Sequence, residues 1–301
     1  MGKEIKAVYV ILNYNTWEDT ARLAQKVATF QHIQSVIIVD NLSTDDSYHY
    51  LKRLEGEKIS VYQTQRNGGY SVGNNFAARK AYNMGVDILF ISNPDVDIDE
   101  KDSLMIAQNL YKNSSYALLS GIEYNAMKEI DLPIVWHENS YYDDLLDCLF
   151  LTRKWRRKKE DINLSMIKSS IIDVDLVKGS FFAVRLSDFH DVGYFDESVF
   201  LFCEERILAK KLQKANKKIG ILPEAKYYHN HSTSINERYK KKKEQINLLY
   251  KSRYYYNVKY NNISFVKKLC LKSVMMLSIL EYIILDMMNL LYTKTNYKKI
   301  Q

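Results

Sequence analysis

The chain has 301 residues, 47% hydrophobic and 26% charged with only three prolines, enough for a large α/β domain plus an appendage; that balance excludes a disordered or fibrous chain. Cys148, Cys203 and Cys270 are widely spaced and odd in number, so neither a disulfide framework nor a zinc site is expected, and a reducing compartment fits best. The net charge of +7 is concentrated, with six basic residues in seven from Arg153 to Lys159 and five in six from Arg238 to Lys243, which favours anionic partners.

No nucleic-acid motif accompanies these clusters, so nucleic acid is not expected as a partner. The opening residues Met1 to Lys6 carry no apolar signal region, and a cytoplasmic location is the expectation.

Ile5 to Leu12 is a short, nearly continuous apolar run of the kind buried on both faces of a parallel sheet. It ends in Asn13-Tyr14-Asn15-Thr16, where Thr16 can cap a helix reaching about Phe30. Val36 to Val39 repeats the pattern and stops at Asp40-Asn41, with a second helix continuing through Leu54. Ile59 to Gln63 is a third strand, followed by Arg66-Asn67-Gly68-Gly69 and a helix ending near Met84-Gly85. The fourth strand runs from Asp87 into Asn93-Pro94-Asp95-Val96-Asp97, where the proline stops it and presents Asp95, a hard oxygen ligand, to the edge. Asp97 is assigned to the turn before the next helix, Lys101 to Lys112.

Strand, polar tip and helix four times over predict an α/β fold, Rossmann-like, with a mostly parallel sheet whose tips share one edge. Asn13, Asn15, Asp40, Asn41, Asn67, Gly68, Gly69, Asn74 and Asn93 are therefore candidates for one nucleotide-sugar site. The first two tips suit a nucleobase and its ribose, and the glycines permit close backbone approach. No Gly-x-Gly-x-x-Gly follows the first strand and no phosphate-loop signature occurs, which disfavours nicotinamide and P-loop chemistry.

After a strand at Ala117 to Ser120, regular patterning lapses from Gly121 to about Ser170, a stretch holding Trp136, His137, Trp155 and the first basic cluster. A segment of that length is expected to be functional or to carry its own short helices, such as Ser140 to Leu151, and it is read as an acceptor-side insertion. Strand text resumes at Ile171 and again at Gly179-Ser180-Phe181-Phe182. Val192-Gly193-Tyr194-Phe195-Asp196-Glu197 then precedes Glu204-Glu205 at the start of a helix through Leu212. Short strands at Ile219 to Leu222 and Ala225 to His229 follow, and at most one histidine of the pair His229 and His231 is expected to point into the crevice.

With the Asn-Pro-Asp tip, the Gly-Ser-Phe-Phe turn, Gly-Tyr-Phe-Asp-Glu and the glutamate pair in place, the chain resembles a family 2 glycosyltransferase of GT-A fold, nearest the bacterial rhamnosyltransferases, over about Ile5 to Ser234. The resemblance implies that Asn13, Asp40 and Asn41 hold the nucleotide, and that Asp95 binds Mg2+ or Mn2+ on the diphosphate. It implies that Glu204 or Glu205 is the general base and that His229 completes the metal or diphosphate site. It also implies an inverting transfer from a nucleotide-diphosphate sugar, dTDP-rhamnose favoured and a UDP-sugar possible, to a lipid-linked glycan acceptor at the inner face of a bacterial membrane. Two positions depart from the usual pattern. Asn93 stands where relatives often place the first acid of the metal motif, which predicts weaker metal dependence, and Arg206-Ile207 follows the glutamates where another acid is usual. The latter gives weight to an inactive sugar-nucleotide-binding scaffold as the alternative.

From residue 235 the text becomes helical and amphipathic, with Leu269, Met276, Ile283 and Met287 opposite Lys267, Lys268, Lys272, Glu281 and Asp286. Glu281 and Asp286 interrupt any spanning run. The segment is expected to lie on an anionic membrane surface, with Lys240 to Lys243 and Lys267 to Lys272 at the headgroups, or to pack against the catalytic domain or a second subunit as a homodimer contact. The domains are thus 1–234 and 235–301.

Overall fold

The computed structural model describes residues 5–134, 137–149, 152, 170–230 and 242–297, with side chains from 244 to 284 in the last stretch. Trp136, Trp155, His231 and nearly all of both basic clusters lie outside the described residues. The chain divides into two units, residues 1–138 with 161–237, and residues 139–160 with 238–301.

The first unit is built on a mixed sheet. In spatial order, β3 (Ile59–Gln63), β2 (Ile33–Asp40), β1 (Ala7–Asn13) and β4 (Ile88–Ser92) run parallel. Then β8 (Phe181–Arg185) pairs antiparallel with both β4 and β6 (Tyr116–Tyr124). β9 (Lys218–His229) lies parallel to β6. The far side of β9 is shared, its first half by β7 (Ile172–Val174) and its last three residues by β5 (Val96–Ile98), both antiparallel. The α/β class is as expected, with parallel pairing confined to the first four neighbours and the β6–β9 pair.

Both faces of β1 and β2 are dry, which is why their text is apolar without alternation. Successive residues nonetheless go to opposite layers. Val8, Val10, Ile37 and Val39 pack with Ala77, Ala78 and Ala81 of α3 (Gly69–Asn83), together with Phe189 of α6 (Leu186–Asp191) and Leu208 and Leu212 of α7 (Glu204–Lys214). Tyr9, Ile11, Val36 and Ile38 pack on the other side with Leu23 and Val27 of α1 (Trp17–Ala28), Leu51 of α2 (Ser47–Lys52), and Ile106 and Leu110 of α4 (Glu100–Lys112).

Three local expectations are corrected. Thr16 sits at the N-cap of α1, but its side chain makes no capping bond there; Thr16 Oγ1 donates instead to Asn13 Oδ1 at 3.3 Å. Asp97 is not in a turn: it lies within β5, opposite Tyr228, and accepts from Lys26 Nζ at 2.6 Å. Lys218 to His229 is one strand, not two, because the pairing with β6 shifts across Pro223 and Glu224 and then resumes. Proline lacks the N–H that a ladder position needs, so the irregularity falls there.

The second unit contains α5 (Tyr141–Leu146), α8 (Lys242–Lys259) and α9 (Phe265–Tyr297). α5 begins at a reciprocal capping box, with Asp143 N–H donating to Ser140 Oγ at 3.2 Å and Ser140 N–H to Asp143 Oδ2 at 2.8 Å. Its core joins Tyr141, Cys148, Tyr250, Ile263, Leu271 and Met275. Fully buried Asp144 is matched there by Asn257 Nδ2 at 2.6 Å and the Arg253 guanidinium at 3.3 Å. Lys267 is half-buried and Lys272 exposed, and both sit against aromatic rings. Lys267 lies over the rings of Tyr141 and Tyr142, and Lys272 over Tyr254, each near 5 Å.

Candidate active site

The tips of the first three strands are tied into one polar floor. Asn13 Nδ2 donates to Asp40 Oδ1 at 2.8 Å, and Gln63 Nε2 and Ser43 N–H donate to Asp40 Oδ2 at 2.9 and 3.0 Å. Asn41 Nδ2 reaches Asn67 Oδ1 at 3.1 Å and the Gly69 carbonyl at 3.0 Å. Asn15 braces the floor from the side, exchanging hydrogen bonds with Thr44 at 2.9 and 2.8 Å. Asn15 and Leu42 hold left-handed backbone (φ 56° each), so the chain turns sharply after both strands.

Two amide atoms here are left over. Asn67 Nδ2 and Asn74 Oδ1 are buried without a hydrogen-bond partner, and a buried orphan of this kind marks a position that a ligand or water can satisfy. Gly69 has φ +80°, and a Cβ there would lie 1.9 Å from the Phe200 carbonyl oxygen. What this glycine admits is thus the backbone of Phe200, which also accepts from Tyr70 N–H at 3.0 Å. The third tip is thereby fastened to the segment that leads into Glu204. Gly68 is filled from within its own helix by Val72.

Asp95 and His229 are brought together by the β5–β9 pairing. Asn230 N–H donates to the Asp95 carbonyl at 3.1 Å, and His229 Nε2 lies 3.2 Å from Asp95 Oδ1. Both are buried, as is Glu123, which the sequence reading passed over. Glu123 Oε1 is 2.9 Å from His229 Nδ1, while Oε2 accepts from Tyr227 Oη at 2.7 Å and Ser180 Oγ at 3.0 Å. Burial alone would lower the His229 pKa, but hydrogen bonds and charge from Asp95 and Glu123 outweigh it and raise it to about 9. Burial likewise opposes ionisation of Glu123, yet His229, the Lys178 charge and Tyr227 pull its pKa down to about 2. No glutamate motif could have flagged Glu123; the only available signal is that strand text continues past Ser120 to Tyr124.

Asn93 lies beside this group, its N–H donating to the Ser180 carbonyl at 2.8 Å. Among the described residues no cluster of three or more His, Cys, Asp or Glu side chains forms a metal cage. Asp95, in the turn just before β5, and His229, at the end of β9, supply one carboxylate and one imidazole. That donor set fits a Mg2+ or Mn2+ ion whose other positions are completed by substrate phosphates and water.

Glu204 and Glu205 open α7 after two consecutive left-handed residues, Phe202 (φ 70°) and Cys203 (φ 67°). Non-glycine residues there cost on the order of 1–3 kcal/mol each and persist where the surroundings impose them. Glu204 is buried, and its Oε2 has no hydrogen-bond partner. Burial, then repulsion from Glu205, pushes its pKa well above the usual carboxylate range. Burial also raises Glu205, opposed by the Gly179 N–H and the charge of Arg206. A Cβ on Gly179 would lie 2.3 Å from Glu205 Oε1, so only glycine lets this carboxylate come so near the turn. Tyr70 Oη donates to the Gly179 carbonyl at 2.7 Å, its own pKa raised by burial and by Glu205 and Glu204.

Gly179 and Ser180 therefore join the two halves of the site. One residue touches Glu205; its neighbour touches Glu123 and holds Asn93. Residues 9–157 match the family model described as glycosyl transferase family 2. In this stretch the chain is thus similar to family 2 glycosyltransferases. The low-salt glycan biosynthesis hexosyltransferase Agl10 of Haloferax volcanii is 22% identical over 213 residues, covering 70% of this chain and 62% of the relative's length. The chain thus spans less than two thirds of that relative.

Two solved structures share the fold, each with a TM-score of 0.56. The mannosyltransferase PcManGT from Pyrobaculum calidifontis, solved with GDP-Man and Mn2+, is 13% identical, with 89% of this chain and 68% of that one covered. GalNAc-T7, solved with UDP, GalNAc and Mn2+, is 12% identical, with coverage of 78% and 45%. The fold here is accordingly of the GT-A type.

Proposed function

We propose that this domain is an inverting glycosyltransferase that moves a hexose from a nucleoside-diphosphate sugar to a hydroxyl of a glycan acceptor, with rhamnose the sugar favoured by the sequence motifs. The observation that carries this reading is the Gly179-Ser180 bridge, which sets a buried glutamate pair beside a carboxylate–imidazole pair at the edge where the strand tips end.

The chemistry follows from those positions. Asn13, Asn15, Asp40, Asn41, Asn67, Gly68, Gly69, Asn74 and Asn93 line or brace the nucleotide-sugar site, the orphaned amide atoms of Asn67 and Asn74 meeting polar groups of the donor. Asp95 and His229 hold Mg2+ or Mn2+, which when bound neutralises charge on the diphosphate. Glu205 is the general base. Its carboxylate takes the acceptor hydroxyl proton as that oxygen bonds the anomeric carbon and the bond from that carbon to the diphosphate oxygen breaks, which inverts the centre. Burial and the neighbouring Glu205 charge favour the neutral form of Glu204, which limits the negative charge at the pair. Ile207 stands where a further acid was expected, two positions past the pair, and the charge of Arg206 favours the charged form of Glu205.

His229 must lose its proton to bind a metal, and Asn93 contributes no charge. Both favour weak metal binding at neutral pH. In the second unit, Leu269, Met276, Leu277, Leu280 and Ile284 are exposed along α9. Among the described residues no helix is long and apolar enough to cross a membrane. This apolar face supports a peripheral contact with an anionic membrane carrying a lipid-linked acceptor, a homodimer contact being the competing use.

The deciding experiment is transfer or donor hydrolysis with a panel of dTDP-, UDP- and GDP-sugars, with and without Mn2+. Turnover by the wild type that falls at least a hundredfold in Asp95→Ala and Glu205→Gln supports the assignment. Donor binding with no turnover on any sugar would instead identify a scaffold.

A further inference from the structure

We infer that Glu123 is a positioning residue for His229, fixing which imidazole nitrogen faces Asp95 and the metal; this rests on the metal reading above. The β6–β9 register places Glu123 opposite Tyr227, and Tyr227 and His229 are two residues apart on one strand, so both side chains leave the same face. Glu123 is 5% exposed. Its Oε2 is taken up by Tyr227 Oη and Ser180 Oγ at 2.7 and 3.0 Å, and Lys178 Nζ stands 3.6 Å away, itself ion-paired with Asp131. Held on those sides, the carboxylate has Oε1 aimed at His229 Nδ1 at 2.9 Å. An imidazole that donates from Nδ1 to a fixed carboxylate keeps its Nε2 lone pair for a cation, and Nε2 is the atom 3.2 Å from Asp95. Glu123 would not touch donor, acceptor or metal; it acts through His229.

The test uses the full chain with manganese(II) alone, the free ion being counted by electron paramagnetic resonance. Glu123→Gln is expected to bind Mn2+ about 10–100-fold more weakly than wild type, the range typical for loss of such an outer partner, with an unchanged circular dichroism spectrum. Wild-type affinity in Glu123→Gln, alongside loss in His229→Ala, would overturn the positioning role and leave the metal site standing. Unchanged affinity in both His229→Ala and Asp95→Ala would overturn the metal site, and this inference with it. A second readout needs no variant at Glu123. Long-range 1H–15N spectra of the Mg2+-loaded wild type should show His229 as the Nδ1–H tautomer. The Nε2–H tautomer would overturn the proposal even if Glu123→Gln fails to fold.

Discussion

Asp95 Oδ1 and His229 Nε2 stand 3.2 Å apart because β5, only three residues long, pairs antiparallel with the last residues of β9. The contact turns a strand tip and a distant histidine into one ion pair, whose proton has a calculable effect on the metal-free protein. His229 has its pKa raised to about 9 in the folded chain, against about 6.5 when unfolded.

A raised folded pKa gives stability that is full below about pH 6.5 and lost as pH climbs through about 9. Chelator-treated protein should therefore lose on the order of 3 kcal/mol between pH 6 and pH 10, read by urea denaturation. His229→Gln should be flatter over that window. Equal slopes in the two proteins would contradict the ion pair.

The glutamate pair makes a separate prediction about rate. Both carboxylates are raised by burial, and Glu204 is raised further by Glu205, so the acid limb of kcat/KM should lie above the ordinary glutamate value of about 4.3. Glu204→Gln replaces a side chain already held neutral, so it should leave the limb and most of the turnover in place, whereas Glu205→Gln should abolish most of it. A limb moved to lower pH by Glu204→Gln would show instead that Glu204 is ionised beside Glu205 in the working enzyme.

Gly179→Ala tests the close approach of Glu205. Its new Cβ would meet Glu205 Oε1 at 2.3 Å, and the flexible carboxylate can yield by moving away from the turn. The fold should survive, while displacement of the base on the order of 1 Å should cost about a hundredfold in kcat. Stability can be followed by thermal melting and activity by donor turnover; full activity would separate Glu205 from the reaction.

The exposed face of α9 carries the membrane proposal. Because Leu277 and Leu280 are 56% and 55% exposed, replacing both by Glu should leave melting unchanged within about 0.5 kcal/mol. It should reduce flotation with anionic liposomes by at least about tenfold, since each side chain contributes roughly 1.5 kcal/mol or more when buried in lipid. A change in oligomeric state with no change in flotation would assign the face to a second copy of the chain.

Much of this was readable from the linear chain, for a physical reason. The apolar run from Ile5 to Leu12 is continuous because both faces of β1 are dry, and each such run must end in polar residues where the strand leaves the sheet. Asn13, Asp40 and Asn67 could therefore be placed on one edge without knowing any contact. Glycine at 69 and the paired glutamates at 204 and 205 were visible too, since residue type and helix position are local properties.

The tertiary structure alone decided the partners. Asp97 belongs to a strand and not a turn only because β9 is there to pair with it, and Glu123 meets His229 across 106 residues of chain. Local periodicity states which way a side chain faces on its own strand; it does not state which strand lies alongside or in what register. Hydrogen-bond registry between distant strands, fixed when the whole sheet packs, set the His229 ring between Asp95 and Glu123 and brought Gly179 against Glu205.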